Sequence, residues 1–385
     1  MSNQGSITLS QKELSRVAVI TQCVQGTTSV RRAAALLQLS PRQVKRLKRK
    51  FRSGGAAAMA HAGRGRASPR RTPAAARQRI LHLARTTYAG FNDHHFTEKL
   101  CAVEGLRIGR ETLRQLLRAA GIGPPRKRRP PAHRQRRPRR PREGEMLQVD
   151  GSLHDWLQGR GPQITLLGFQ DDATGKVVGA EFFPTETAYG YFRVFRGVLR
   201  RYGVPLSLYG DRCGIFVRND HHWTVAEELA GRQQSTQFGR ALEQLGVTFL
   251  SAYTPQAKGR IERTWGVFQD RLTSELRLAR ALDLATANHV LHRFLPGYNR
   301  RFGRCPAQAT TAWRPVPREL DRICCFVHER VVSNDNVVQW EGRRFQIRPQ
   351  PRRFSFAGAR VQLVQDLAGR IAVYHGDAKL LVASL

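Results

Sequence analysis

The sequence predicts a multi-domain protein with all-α modules first, an α/β core in the middle and a small C-terminal β-barrel. Three observations carry this. Up to about residue 120, apolar residues recur at helical spacing. Between residues 144 and 305, strand-like apolar runs alternate with helical ones. Beyond residue 318 only short alternating runs remain, divided by turn residues. A length of 385 residues leaves room for several domains and a sizeable core.

Charge narrows the partner. Lys and Arg number 65 against 29 Asp and Glu, a net charge of +36. Such an excess points to a polyanion, since every neutralised phosphate releases counterions. An anionic membrane surface is the competing partner, but no segment has the length and apolarity of a membrane span. MSNQGSITLSQKE lacks an apolar signal core, so a cytoplasmic protein with no membrane partner is expected. Cys23, Cys101, Cys213, Cys305, Cys324 and Cys325 show neither CxxC pairing nor zinc-finger spacing to His, and are read as reduced thiols.

Residues 1–53 read as three helices. Leu14, Val17, Thr21 and Val24 mark the first, and Val30, Ala33, Ala34 and Leu37 the second. The third has a full start signal, with Ser40 as N-cap, Pro41 at the first helical position and Gln43 completing a capping box. Val44, Leu47 and Phe51 would face inward, leaving Arg42, Lys45, Arg46, Arg49 and Arg52 outside. That pattern is a helix-turn-helix whose third helix suits the major groove of double-stranded DNA. Residues 54–73 are rich in Gly, Ala and Arg and read as a flexible linker.

A second helical unit spans 74–123. Ile80, Leu81, Leu83 and Ala84 mark one helix, Phe96, Leu100 and Val103 another, and Leu113, Leu116, Leu117 and Ala120 a third. Arg107, Arg110 and Arg114 lie on the last. His94 and His95 read as a solvated helix start, having no metal partner at useful spacing. Residues 124–143 form the sharpest shift in composition, because ten of the seventeen residues from Arg126 to Arg142 are basic and the prolines forbid a helix. This semi-extended strap, with Arg128, Arg129, Arg136 and Arg137, is expected to follow a DNA backbone without sequence preference.

In the core, 144–305, three carboxylates stand at recognisable places: Asp150 in EMLQVDGS, Asp211 in LSLYGDRCG and Glu262 in TPQAKGRIERTWG. Met146, Leu147 and Val149 make a short strand that Gly151 and Ser152 should end, and Leu206, Leu208 and Tyr209 make another before Asp211. GPQITLLGFQDD and KVVGAEFF read as a strand pair joined by a turn that Asp171 and Asp172 open. Tyr191, Val194, Phe195, Val198 and Leu199 define one helical face, while Ile261, Trp265, Phe268, Leu272 and Leu276 define the face beside Glu262. Three strands, a helix and a fourth strand fit a ribonuclease H-like fold, with the Asp-bearing strands adjacent and the Glu helix packed on them.

The strings QVDGS, HDW, LLGFQDDATGK, YGDR, TPQAKGRIER and FQDRL resemble the DDE insertion-sequence transposases with an integrase-type catalytic core, nearest the ISNCY group. The resemblance covers most of the chain and implies that Asp150, Asp211 and Glu262 are the catalytic and metal-binding triad. Asp211 follows Asp150 by 61 residues and Glu262 follows by a further 51, the second interval being long through a polar insertion near 218–234. Taken singly, an Asp before Gly is ordinarily a turn residue and a lone helical Glu a solvated charge. Their order and setting make the case.

Hard carboxylate oxygens suit Mg²⁺ or Mn²⁺, two ions per site, clamping nucleophile and leaving group. Asp150 is assigned to bridge both ions, and Asp211 and Glu262 each hold one, with those two roles interchangeable. Lys258, Arg260 and Arg263 flank Glu262, and TPQAKGRIER resembles a DNA-gripping stretch of the family. RIGRETLRQLLRAAGI resembles a second, winged-helix-like helix-turn-helix. A helix at Val290, Leu291, Phe294 and Leu295 closes the core, and residues 318–385 supply the barrel, with Arg343, Arg344, Arg348, Arg352 and Arg353 for DNA or subunit contact.

The expected protein therefore binds terminal inverted repeats and target DNA, cleaves at element ends and joins 3′ ends. It would work as at least a dimer, in the bacterial nucleoid. The alternatives are a domesticated DNA-binding repressor or architectural protein, and a nuclease of the same fold.

Overall fold

The computed structural model describes residues 8–61, 63–64, 71–125, 137–218, 220, 222–231, 233–252, 259–351 and 353–384. Two compact units divide the chain at Ala76 and Arg77. In the first, α1 (Gln11–Gln25), α2 (Val30–Leu37) and α3 (Pro41–Gly54) enclose Ile20, Cys23, Ala33, Ala34 and Val44. The α3 start is as its residues dictate: Gln43 donates its backbone N–H to Ser40 Oγ at 3.3 Å, and Gln43 Oε1 accepts from Ser40 N–H at 3.0 Å.

Two expectations fail in this unit. Leu14 is exposed and Glu13 is turned inward, so the inner face of α1 is rotated. Glu13 accepts from the backbone N–H of Ser10 and of His61, both at 2.8 Å, and pairs with Arg64. Those N–H donors, ahead of the opposing effect of burial, hold its carboxyl down at about 2. The expected linker also begins later, because a 3₁₀ turn at Ala56–Met59 buries Met59 against the helices.

α4 (Ala74–Arg85) begins just before the division, and α5 (Asp93–Ala102) and α6 (Arg110–Ala119) follow it in the second unit. Ile80, Tyr88, Phe96, Leu100, Leu113 and Leu117 form their core, whereas Val103 stands exposed at the end of α5. His95 is not solvated, as the sequence suggested, but buried.

The α/β core follows. β1 (Met146–His154), β2 (Ile164–Asp171) and β3 (Val177–Phe183) form an antiparallel meander. After α7 (Ala188–Tyr202) come β4 (Ser207–Gly210), α8 (Val225–Ala230), α9 (Gln237–Gln244) and β5 (Thr248–Ser251). The sheet order is β3-β2-β1-β4-β5, with β4 parallel to both β1 and β5. α10 (Gly259–Leu278) and α11 (Leu284–Phe302) complete it.

Period-two alternation sends successive strand residues to opposite layers. Leu147, Val149, Leu167 and Phe169 pack with Tyr191, Phe195 and Leu199 of α7 and Phe238 of α9. Ile164, Leu166, Ala180 and Phe182 pack with Ile261, Trp265, Phe268 and Leu272 of α10 and with Leu291 of α11. Each such large side chain contributes roughly 1.5–3 kcal/mol when fully buried. The helical faces read from sequence for α7 and α10 are the buried ones.

Residues 303–314 are stitched along the core. Arg304 N–H bonds the Thr174 carbonyl, Ala312 N–H bonds the Glu143 carbonyl, and Val204 and Arg314 exchange a β-bridge. The Arg314 guanidinium donates to the carbonyls of Pro205, Leu245 and Gly246 at 2.9–3.0 Å.

The C-terminal part has α12 (Leu320–Ile323), then β6 (Phe326–Val331), β7 (Val337–Trp340), β8 (Arg343–Ile347), β9 (Arg360–Gln365), β10 (Ile371–His375), β11 (Ala378–Leu380) and β12 (Val382–Ser384). These strands form two sheets, β11-β10-β9-β6 and β12-β8-β7, rather than one closed barrel. The β6 ladder ends at Val331, and the turn through Asn336, with a positive φ of 57°, redirects the chain into the second sheet. Val338, Phe345, Val361, Leu363 and Val373 fill the space between them.

Candidate active site

Asp150 does not end its strand. β1 runs on to His154 because β2 pairs along its whole length, with Asp150 opposite Gly168. The parallel ladder with β4 is shorter and stops at Gln148 opposite Tyr209. Asp150 therefore lies just beyond the point where β4 leaves β1, and Asp211 is the first residue after β4. Both aspartates thus lie past the point where the β1–β4 pairing stops. Asp211 is exposed, and its Oδ1 accepts from Cys213 N–H at 3.3 Å.

α10 brings the third carboxylate. Gln148, Asp150 and Ser152 project from the same face of β1. Ile261 N–H donates to Gln148 Oε1 at 3.2 Å, satisfying one of the orphan donors of the first turn of α10, and Gln269 Nε2 donates to Ser152 Oγ at 3.2 Å. Two hydrogen bonds thus hold α10 to β1 on either side of Asp150. Glu262 is the residue after Ile261 and is exposed. Among the described residues, no three His, Cys, Asp or Glu side chains stand at metal-holding spacing, Asp150, Asp211 and Glu262 included.

A fourth carboxylate enters that neighbourhood. Tyr191, fully buried on α7, donates its hydroxyl to Glu186 Oε1 at 2.6 Å. Its ionisation is pushed well up, first by burial and then by Glu186, Asp150 and Asp211. The Glu186 carboxylate lies over Gly151, where an added Cβ would meet Oε2 at 2.8 Å.

Asp171 and Asp172 were expected only to open a turn. Asp171 does so, accepting from Thr174 N–H at 2.7 Å and Gly144 N–H at 2.9 Å, and burial pushes its carboxyl up. Asp172, equally buried, has other partners. Arg137 Nη2, Gln148 Nε2 and the Arg260 guanidinium converge on Oδ1, the first two at 2.6 and 2.7 Å, while Arg140 N–H reaches Oδ2 at 2.8 Å. Burial raises this carboxyl, but these donors outweigh it and hold it below the usual range.

Arg137 and Arg260, expected on DNA, are thus engaged with Asp172. Arg128, Arg129, Arg136 and Lys258 lie outside the described residues. Arg42, Lys45, Arg46 and Arg49 form an exposed row on α3, as expected. On α6, Arg110 is exposed, and Arg114 pairs with Glu111 at 2.6 Å. Sequence reasoning missed Gln148, Glu186 and the part played by Asp172. Gln148 alone had a readable signal, being in period-two register with Asp150.

A family profile described as a helix-turn-helix domain matches residues 15–68. Over 372 residues the chain is 36% identical to the putative transposase y4bF of Sinorhizobium fredii, covering 96% of this chain and 80% of that protein. It is 30% identical over 366 residues to the transposase for insertion sequence IS1202 of Streptococcus pneumoniae, covering 86% and 77%. A simian T-cell lymphotropic virus intasome in complex with PP2A regulatory subunit B56 gamma overlaps 79% of this chain and 95% of its own, at 15% identity and a TM-score of 0.34. The HTLV-2 integrase catalytic core domain in complex with magnesium overlaps 39% and 84%, at 18% identity and 0.28. Overlaps that loose assign nothing to this chain, whereas the two transposase likenesses each cover more than four fifths of this chain and more than three quarters of the relative. On that ground the chain belongs to the insertion-sequence transposase family.

Proposed function

We propose that this transposase binds the terminal inverted repeats of a mobile element, cleaves DNA at the element ends and joins the 3′ ends to target DNA. Asp150, Asp211 and Glu262 are its catalytic carboxylates. The observation that carries the reading is the pinning of α10 to β1 on both sides of Asp150, next to the end of β4. Three acidic residues far apart in sequence then come from three adjoining elements.

The donor set fits Mg²⁺ or Mn²⁺. It is hard carboxylate oxygen, the ligand type such ions prefer. When bound, a pair of such ions neutralises charge at phosphorus and supplies an activated nucleophile. Asp150, Asp211 and Glu262 would hold the ions. Gln148 and Ser152 orient α10, while Tyr191 restrains Glu186 at the rim.

The remaining residues position DNA. Arg42, Lys45, Arg46 and Arg49 on α3 would enter a major groove, with Arg110 and Arg114 on α6 forming a second contact. The strap residues Arg128, Arg129, Arg136 and Arg137, with Lys258 and Arg260, would follow phosphates near the site. Two element ends must be held together for joining, so the working form is at least a dimer on DNA.

The test is incubation of labelled duplex carrying the element's terminal sequence with Mg²⁺ or EDTA. Wild type should nick and join with Mg²⁺ only. Asp150→Asn should lose both steps on the order of 10³-fold or more, with end binding nearly unchanged. Joining by that variant overturns the triad, and binding without nicking by wild type overturns the enzymatic reading.

A further inference from the structure

Asp172 occupies a place that no turn requires. Its carboxylate is enclosed, and each of its side-chain partners leads toward one of the three candidate carboxylates. Gln148, which donates to Oδ1 at 2.7 Å, stands two residues before Asp150 on β1. The other end of the same amide holds Ile261 N–H, the residue before Glu262. Arg260, also on Oδ1, lies two residues before Glu262 in the first turn of α10. Arg137, on Oδ1 at 2.6 Å, carries its guanidinium 5.4 Å from the ring centre of Tyr209, two residues before Asp211. Gln148 and Arg260 therefore tie one buried oxygen to the chain two residues before Asp150 and Glu262, and Arg137 ties it to the ring of Tyr209 two residues before Asp211.

The fourth connection is to the basic strap. Arg140 N–H bonds Oδ2 at 2.8 Å, the Arg139 guanidinium bonds the Asp172 carbonyl at 2.6 Å, and the second Arg260 nitrogen reaches the Arg137 carbonyl. In sequence, Arg137, Arg139 and Arg140 belong to the later part of the run of ten basic residues from Arg126 to Arg142. Where that run follows a phosphate backbone, the pull is delivered at Arg137. Two guanidiniums on one carboxylate leave the node with surplus positive charge, so a nearby phosphate adds to it without displacing Asp172.

We propose that Asp172 is a positioning residue that couples seating of the basic strap on DNA to the placement of Glu262 beside Asp150. The inference rests on the triad reading above. Asp172 itself touches neither DNA nor metal. It acts through Gln148 and Arg260, by fixing the first turn of α10.

The test uses the full chain as wild type, Asp172→Asn, Arg137→Gln, Arg137→Lys and Asp150→Asn, with the terminal-sequence duplex at saturation. Two quantities are read: the Mg²⁺ concentration for half-maximal nicking, and DNA-induced protection from hydrogen exchange at residues 260–264. Asp172→Asn and Arg137→Gln should each raise the Mg²⁺ midpoint about tenfold or more, as loss of an orienting partner does at metal sites. Both should lose the protection, with the duplex affinity of Asp172→Asn changed less than about threefold, and Arg137→Lys should recover part of what Arg137→Gln loses.

An unchanged midpoint with intact protection overturns the proposal, as does a slower rate with both readouts unmoved. Should Asp172→Asn fail to fold, Arg137→Gln decides, since Asp172 keeps Arg260 and Gln148 there. The exchange readout needs no turnover. Protection that persists in Asp150→Asn, joined to unexpected activity of that variant, would therefore sink the triad and leave the coupling standing.

Discussion

Gly168 shows how much of the site depends on one missing side chain. It sits opposite Asp150 across the β1–β2 ladder, and an added Cβ would meet the Trp265 ring at 2.7 Å and the Gly179 carbonyl at 3.1 Å. Neither neighbour can yield, one being a buried indole on α10 and the other backbone. Gly168→Ala should cost roughly 1–3 kcal/mol, seen as a lower melting temperature, and should slow nicking by lifting α10 from β1. An unchanged melting temperature would mean that α10 is seated less tightly than its contacts indicate.

The same scale marks what the sequence could and could not tell. The strand through Asp150, the strand before Asp211 and the cap at Ser40 were legible because local pattern determines them, though the first runs on to His154 where a stop at Gly151 was expected. Gln148 was half legible: its register follows from alternation, but its partner Ile261 lies 113 residues away. Asp172 was misjudged, since Asp before Ala-Thr-Gly reads as an exposed turn whether or not arginines from distant segments converge on it. His95 was misjudged for the same reason, because its acceptor is 180 residues on. Leu14 failed through Glu13, an acid drawn inward by N–H donors that no apolar pattern reveals.

Among elements, α10 does two jobs. Its first turn carries Glu262, and its later turns dock α5: Glu275 accepts from Lys99 at 2.8 Å and contacts His95 at 2.7 Å, and Arg271 grips Glu98 through two bonds of 2.9 Å. Burial pushes the Glu275 carboxyl up, but His95 and Lys99 outweigh it and hold it below its ordinary 4.5. A carboxyl so lowered contributes stability above its ordinary pKa, and that contribution fades as pH falls through the lowered value. Acidification below about pH 4.5 should therefore loosen α5 from α10, read as faster hydrogen exchange at residues 93–102. Glu275→Gln should show fast exchange already at neutral pH. Slow exchange in that variant would remove Glu275 from the docking.

For the whole molecule, a net charge of +36 bears on the proposed DNA partner. With six to ten phosphates neutralised, duplex affinity should fall about 10³-fold or more between roughly 50 and 200 mM salt. Replacing Arg128, Arg129 and Arg136 together by Gln should flatten the log–log salt dependence by about 0.9 per lost contact and, through the coupling at Asp172, raise the Mg²⁺ midpoint. A slope identical to wild type would take the strap off the DNA. No helix among the described residues is long and apolar enough to cross a membrane. At this scale the order of modules was readable, while the split of the last seven strands into two sheets was not, since alternation records which face is buried and not which strand is the neighbour.

The seam of residues 303–314 bears on how the enzyme can be taken apart. The Arg314 guanidinium caps three carbonyls around the start of β4 and the loop before β5, and the Trp313 ring lies where a Cβ on Gly144 would be, at 2.5 Å. A catalytic fragment trimmed at residue 305 would shed both, baring the strand that delivers Asp211. The smallest self-sufficient piece of this enzyme is thus longer than its three acids suggest, and its tail belongs to the catalytic body as much as to whatever the final sheets hold.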